Sequence, residues 1–182
     1  MFQRLFRRER ANRAIVDGLY ASIVAAARQP LLYSEIGAPD TPLGRFELIT
    51  LHMVLALRRL RSPECAAVAQ ELVDAFFLEV DHSLRELGIG DTGVPKRARK
   101  LAKMFYGRAA AYGAALDATD PAALSLALAR NVKPAEPDWT GAPTLAAYTL
   151  RAAELLANQR TEDLLAGTIR FPDPQEALSN AA

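Results

Sequence analysis

Apolar residues recur at three- and four-residue intervals along most of the chain, and that spacing predicts helices. From Ala14 to Arg28, Ile15, Leu19, Ile23 and Ala27 fall on one face, with Val16, Tyr20 and Val24 beside it. A second periodic stretch runs from Pro42 to about Arg61 and turns Phe46, Ile49, Met53, Leu57 and Leu60 inward. Thr41 is its cap and Pro42 its first helical residue. Ser62-Pro63 restarts the pattern in the same way, and the long helix that follows aligns Val73, Phe76, Phe77, Val80, Leu84 and Leu87. Pro95 to Asp117 repeats it with Leu101, Met104, Phe105 and Tyr112, and Asp120-Pro121 opens a short helix to about Arg130. Thr144 to Gln159 is the last long helix, around Leu145, Tyr148, Leu155 and Leu156, and a weaker turn covers Thr161 to Ala166.

The stretches "RQPLLYSEIGAPDTPLGRF" and "NVKPAEPDWTGAP" break the periodicity with proline and glycine, and no internal repeat is present. The pattern therefore predicts an all-α, single-domain bundle of about six or seven helices with two irregular loops. Residues 1–10 form a basic N-terminal segment, 11–166 the helical domain, and 167–182 a loosely ordered tail.

Gly88-Ile-Gly90-Asp-Thr-Gly93 spells G-x-G-x-x-G, the string of a dinucleotide-binding turn. That chemistry needs a strand before the glycines, and here a long helix precedes them. Gly88 reads instead as a helix C-cap, Gly90 and Gly93 as residues of a tight reversal, and Pro95 as the first turn of the next helix.

Composition narrows the classes. The chain has 182 residues, 51% of them hydrophobic and 24% charged, with a formal charge of +1. This is a globular balance without a global pull on nucleic acid or anionic lipid, so any such attraction is local. A lone cysteine, Cys65, excludes an internal disulfide and suits a reducing compartment. The longest apolar run, Leu48 to Leu57, is interrupted by Thr50 and His52 and is too short to span a bilayer.

Catalytic material is sparse. Glu79-Val-Asp-His82 has the Glu-x-x-His spacing of di-iron bundles, but the only other histidine, His52, lies five residues after Glu47, off that spacing. No serine or cysteine stands in a nucleophile context, so no catalytic residue, metal ligand or cofactor is expected.

Two basic stretches carry the charge that is not evenly mixed. In "PKRARKLAKMFYGR", Lys96, Arg99, Lys100 and Lys103 share a helical face, with Arg97 and Arg108 nearby. It reads either as a solvated face or as a docking surface for something anionic, with Glu71, Asp74, Asp81 and Glu86 of the preceding helix as partial neutralisers. "MFQRLFRRER" sets Phe2, Leu5 and Phe6 against four arginines, which is a frayed end, a short helix suited to a membrane surface, or a short organellar targeting remnant.

The stretches "PLLYSEIGAPDTPLGRFELITLHMVLALRRL" and "FFLEVDHSLRELGIGDTGVPKRARKLAKMFYGRAAAY" together resemble the ubiquinol–cytochrome c chaperone family, assembly factors of the cytochrome bc1 complex. The likeness covers roughly residues 12 to 160. It rests on three signatures in order: Pro39-Asp-Thr-x-x-Gly-Arg-Phe-Glu47, Leu84-Arg-Glu-x-Gly-x-Gly-Asp91 and Phe105-Tyr-Gly-Arg108. The resemblance implies a non-enzymatic chaperone for newly made cytochrome b, with contact to a ribosome, an anionic membrane surface or a small partner protein, and not to DNA. It implies a place in the cytoplasm against the inner membrane of a bacterium, to which the Ala- and Arg-rich composition points, or alternatively on the matrix side of the mitochondrial inner membrane. Rival readings are a helical haem-handling protein using His52, His82 or Tyr106, and a nucleic-acid- or ribosome-binding module built on Lys96 to Arg108.

A chaperone of that kind needs an exposed apolar patch. Leu32, Tyr33 and Ile36 of the first loop, with Phe76, Phe77, Phe105 and Tyr106, form the expected client groove. Phe76-Phe77 and Phe105-Tyr106 are adjacent pairs, so either one member of each enters the core while its neighbour lines a groove, or both are buried between neighbouring helices. Arg45, Glu47 and Asp91 are expected to fix the loops by hydrogen bonds.

Overall fold

The computed structural model describes residues 2–86 and 94–179, with side chains described for 12–86 and 95–179. Six long helices carry the architecture: α1 (Phe2–Ala27), α3 (Pro42–Arg59), α4 (Ala66–Glu86), α5 (Val94–Asp117), α6 (Pro121–Val132) and α7 (Ala142–Ala157). Three short ones complete it: α2 (Leu31–Ser34), α8 (Thr161–Leu165) and α9 (Pro174–Ser179). No strand occurs among the described residues, and the all-α fold is as the periodicity predicts. No described helix is long and apolar enough to cross a membrane.

Helix α3 is the axis of the molecule. It packs against α1, α5, α6 and α7, while α4 closes the far side against α1 and α5. Its middle, Leu48 to Ala56, is buried on nearly every side rather than along one stripe. Leu48, Leu51, Leu55 and Ala56 are therefore as buried as Met53, and the predicted Phe46, Ile49 and Leu57 are only half-buried. Thr41 caps α3 as predicted, its hydroxyl accepting from Gly44 N at 3.1 Å. A Cβ at Gly44 would sit 1.9 Å from the Pro39 carbonyl oxygen, so only glycine lets the loop return this closely.

Asp120 caps α6 by accepting from the backbone N–H groups of Ala122 and Ala123 at 3.0 and 2.9 Å. Ser62, expected to cap α4, does not: a 3₁₀ turn over Pro63–Cys65 comes first, and the serine hydroxyl is buried without a partner. The helix predicted from Ala14 begins at Phe2, continued upstream by arginine, alanine and glutamate, which are good helix formers. The membrane-surface reading of Phe2, Leu5 and Phe6 concerns side chains outside the described residues. So does the reversal through Gly88, Gly90 and Gly93.

Through Ser179, the segment expected to be a loosely ordered tail packs on the bundle. Gly167, at φ +81°, turns the chain back so that its carbonyl oxygen lies only 2.7 Å from where a Cβ on Gly18 of α1 would stand. Beyond it Ile169, Pro172, Pro174 and Ala177 are buried, and α9 packs on α7 and α2. Apolar residues spaced too irregularly for a helical stripe hide this docking from periodicity.

Candidate functional site

The adjacent aromatic pairs divide between core and surface. On α4 and α5, Phe76 and Phe105 are 1 % exposed, with ring centroids 5.2 Å apart, whereas Tyr106 is 59 % exposed. Phe77 is half-buried and bridges the two environments, 5.5 Å from Phe105 and 6.2 Å from Tyr106. The next residue on α4, Leu78, is again exposed. Phe77, Leu78 and Tyr106 thus leave large apolar groups at the surface beside the buried rings, while the loop residues expected to share a groove with them do not.

Leu32 and Ile36 are fully buried and cannot line a groove in this structure. Tyr33 is half-buried, and its hydroxyl donates to Ala27 O at 2.8 Å, satisfying a carbonyl at the end of α1. Of the residues expected in the groove, Tyr106 alone is exposed, and half-buried Phe77 packs between it and the buried rings. Leucine and isoleucine in a proline-rich loop look available in a sequence, but here the loop folds back as α2 and plugs the core.

The residues expected to hold the loops do different work. Arg45 and Asp40 form an exposed pair at 2.6 Å, tying the loop to the first turn of α3. Glu47 is buried in α3 and is gripped through both oxygens by Arg108 of α5, with Nη2 2.5 Å from Oε1. It clamps two helices rather than a loop. Burial pushes the Glu47 carboxyl above its ordinary range against the pull of Arg108. Asp91 lies outside the described residues.

Along α5, Lys96, Arg99, Lys100 and Lys103 are exposed. The acids expected to neutralise them are engaged elsewhere. Glu71 accepts from Asn12, Asp74 from Gln70 and Asp81 from Arg85, and Glu86 stands 3.7 Å from His82. Among the described residues no carboxylate pairs with Lys96, Lys100 or Lys103. Arg108, part of the same basic stretch, is turned inward to Glu47 and leaves that face.

The histidines divide as sharply. His82 is exposed on α4, and His52 is fully buried. The His52 Nδ1–H donates to Leu48 O, and Nε2 accepts from the Tyr148 hydroxyl, both at 2.8 Å. Phe171 of the tail covers the ring edge-on at 5.0 Å. Burial pushes His52 down to about 4, so it is neutral at physiological pH. With both ring nitrogens used it is a core element, not a ligand waiting for iron. Among the described residues no three metal-ligating side chains cluster. The surface sets an aromatic patch shared by α4 and α5 next to a basic stripe on α5 that no described carboxylate pairs with.

The family model described as ubiquinol-cytochrome C chaperone matches residues 34–171, and the chain belongs to that family. It is also similar to the protein in the "Crystal structure of the Cbp3 homolog from Brucella abortus", at 53% sequence identity, with a TM-score of 0.88. That similarity covers 97% of this chain and 99% of the Brucella chain. No curated protein matches the chain.

Proposed function

We propose that the protein is a non-enzymatic assembly chaperone that binds newly made cytochrome b and supports its entry into the cytochrome bc1 complex. Family membership supports the class of activity. The observation that carries the binding mode is the pairing of exposed Tyr106 with half-buried Phe77, two aromatic rings 6.2 Å apart at the edge of the core and backed by buried Phe76 and Phe105. A nascent membrane protein carries apolar segments that water penalises, and such a patch covers them reversibly. The basic stripe of Lys96, Arg99, Lys100 and Lys103 adjoins the patch on α5 and docks the chaperone on an anionic surface where its client is made, against the inner membrane. A small partner protein and a ribosome contact remain parts of the proposal as family traits.

Deletion of the chain tests this reading. Cytochrome b and bc1 activity fall together in the deletion strain, and normal levels of both would contradict it.

A further inference from the structure

Between α5 and α6 lies an open cleft of about 620 Å³, lined by Lys100, Lys103, Met104, Gly107, Arg108, Ala111, Arg130 and Asn131. Arg108 is committed to Glu47, but Lys100, Lys103 and Arg130 have no carboxylate partner among the described residues, and no acidic residue lines the cleft. The middle of its α5 wall is Gly107, where a Cβ would meet nothing within 4 Å. Glycine in the interior of an exposed helix weakens it, and no packing neighbour requires one here. The open backbone leaves room for a ligand to come close.

We propose that this cleft receives the phosphate of an anionic phospholipid headgroup and seats the protein on a bilayer surface. The inference rests on the reading of the basic stripe as a docking surface and gives it a definite pocket and ligand. A single phosphate needs only the few cations that converge here, and a net charge of +1 favours such short-range contact over tracking a long polyanion. An RNA strand would call for aromatic stacking platforms, whereas the floor is Met104, Gly107 and Ala111. Large apolar side chains flank the pocket: Tyr106 next to Gly107, and Leu126 one turn before Arg130, are 59 % and 64 % exposed. Cations at phosphate level with a tyrosine and a leucine beside them match the layered chemistry of a membrane interface better than that of an acidic protein helix.

Flotation of the full-length protein with vesicles tests the site, comparing phosphatidylcholine alone with phosphatidylcholine containing about 30 mol % phosphatidylglycerol. The wild type floats with the anionic vesicles only and is released by about 0.5 M NaCl. Gly107→Glu places a carboxylate in open space, so it folds like the wild type by circular dichroism, and its bound fraction falls about fivefold or more. Arg130→Gln falls comparably, while Arg170→Gln, away from the cleft, leaves binding unchanged. Equal binding to neutral vesicles, an equal loss in Arg170→Gln, or capture of RNA or polyglutamate in place of vesicles would each overturn the headgroup site. Capture of cytochrome b in detergent is scored separately on a Phe77→Ser variant, whose ring on α4 does not line the cleft, so a failure of the lipid site leaves the client reading standing and the reverse.

Discussion

Arg108 of α5 grips both carboxylate oxygens of Glu47 on α3, a side chain that is 1 % exposed. The residues are 61 apart in sequence, and their pairing locks the central helix to the helix that carries Tyr106 and the basic stripe. Met104 O accepts a third N–H of the same guanidinium at 3.1 Å, so the arginine is held by its own helix as well. Rigid presentation of the α5 surface depends on this clamp.

Removing one partner of a buried pair strands the other's charge. Glu47→Ala and Arg108→Ala each lower unfolding stability by about 3 kcal/mol, read from urea denaturation at neutral pH. Replacing both, as Glu47→Leu with Arg108→Met, recovers most of that loss, because two apolar groups leave no charge to desolvate.

The His52–Tyr148 contact predicts a pH dependence with a definite sign. His52 sits at about 4 in the folded protein and near 6.5 when unfolded, so between these values the unfolded state binds more protons. Its contribution is fully present above pH 6.5 and is lost as pH falls toward 4, at most about 3 kcal/mol. Glu47, raised by burial, acts in the opposite direction as pH falls through its own elevated range. Tyr148 stays neutral throughout, burial having raised it, with Asp173 adding to the rise. Thermal melts at pH 7 and pH 5 should therefore differ, and His52→Gln should narrow the difference. Equal narrowing by His82→Gln, at an exposed histidine, would contradict the assignment.

The tail makes a third prediction. Ile169 is buried and Phe171 lies on the His52 ring. Ile169→Ala costs about 2–4 kcal/mol in urea unfolding, as a core truncation does. A disordered tail would leave the midpoint unmoved.

The aromatic pairs make a fourth. Phe76→Ala and Phe105→Ala cost about 3–5 kcal/mol each, whereas Tyr106→Ser stays within about 0.5 kcal/mol because the ring is mostly in water. Thermal denaturation of the three variants separates scaffold from surface.

Much of the fold is legible in the sequence because amphipathic helices advertise themselves. Thr41-Pro42 and Asp120-Pro121 mark starts where the caps are found, and of the stripe Ile15, Leu19, Ile23 and Ala27 the last three are buried, Ile15 being half-buried while its neighbour Val16 is buried. Periodicity fails where a helix has no wet side. The central run from Leu48 to Ala56 offers no polar face to locate, so its inward residues cannot be singled out. It fails again for α2 and the tail, which bury single side chains through loop geometry. The site is half legible: adjacent aromatics point in different directions, but whether the second ring of a pair is exposed like Tyr106 or half-buried like Phe77 depends on how α4 and α5 meet. Glu47 carries a signal that could have been read, a lone acid entering an apolar run, and Arg108 is its counterpart in an alanine-rich one. The Arg130 side of the cleft carries none, because only the packing of α6 on α5 brings it there.

Affinity capture of cytochrome b by the tagged chain in its native membrane extract, with Phe77→Ser/Tyr106→Ser compared against wild type, addresses the central claim most directly. The doubly substituted chain should fold with an unaltered α-helical spectrum yet retain less than about a tenth of the captured cytochrome b, as expected when the aromatic anchors of an interface are removed. Undiminished capture would place the client elsewhere on the molecule and contradict the account.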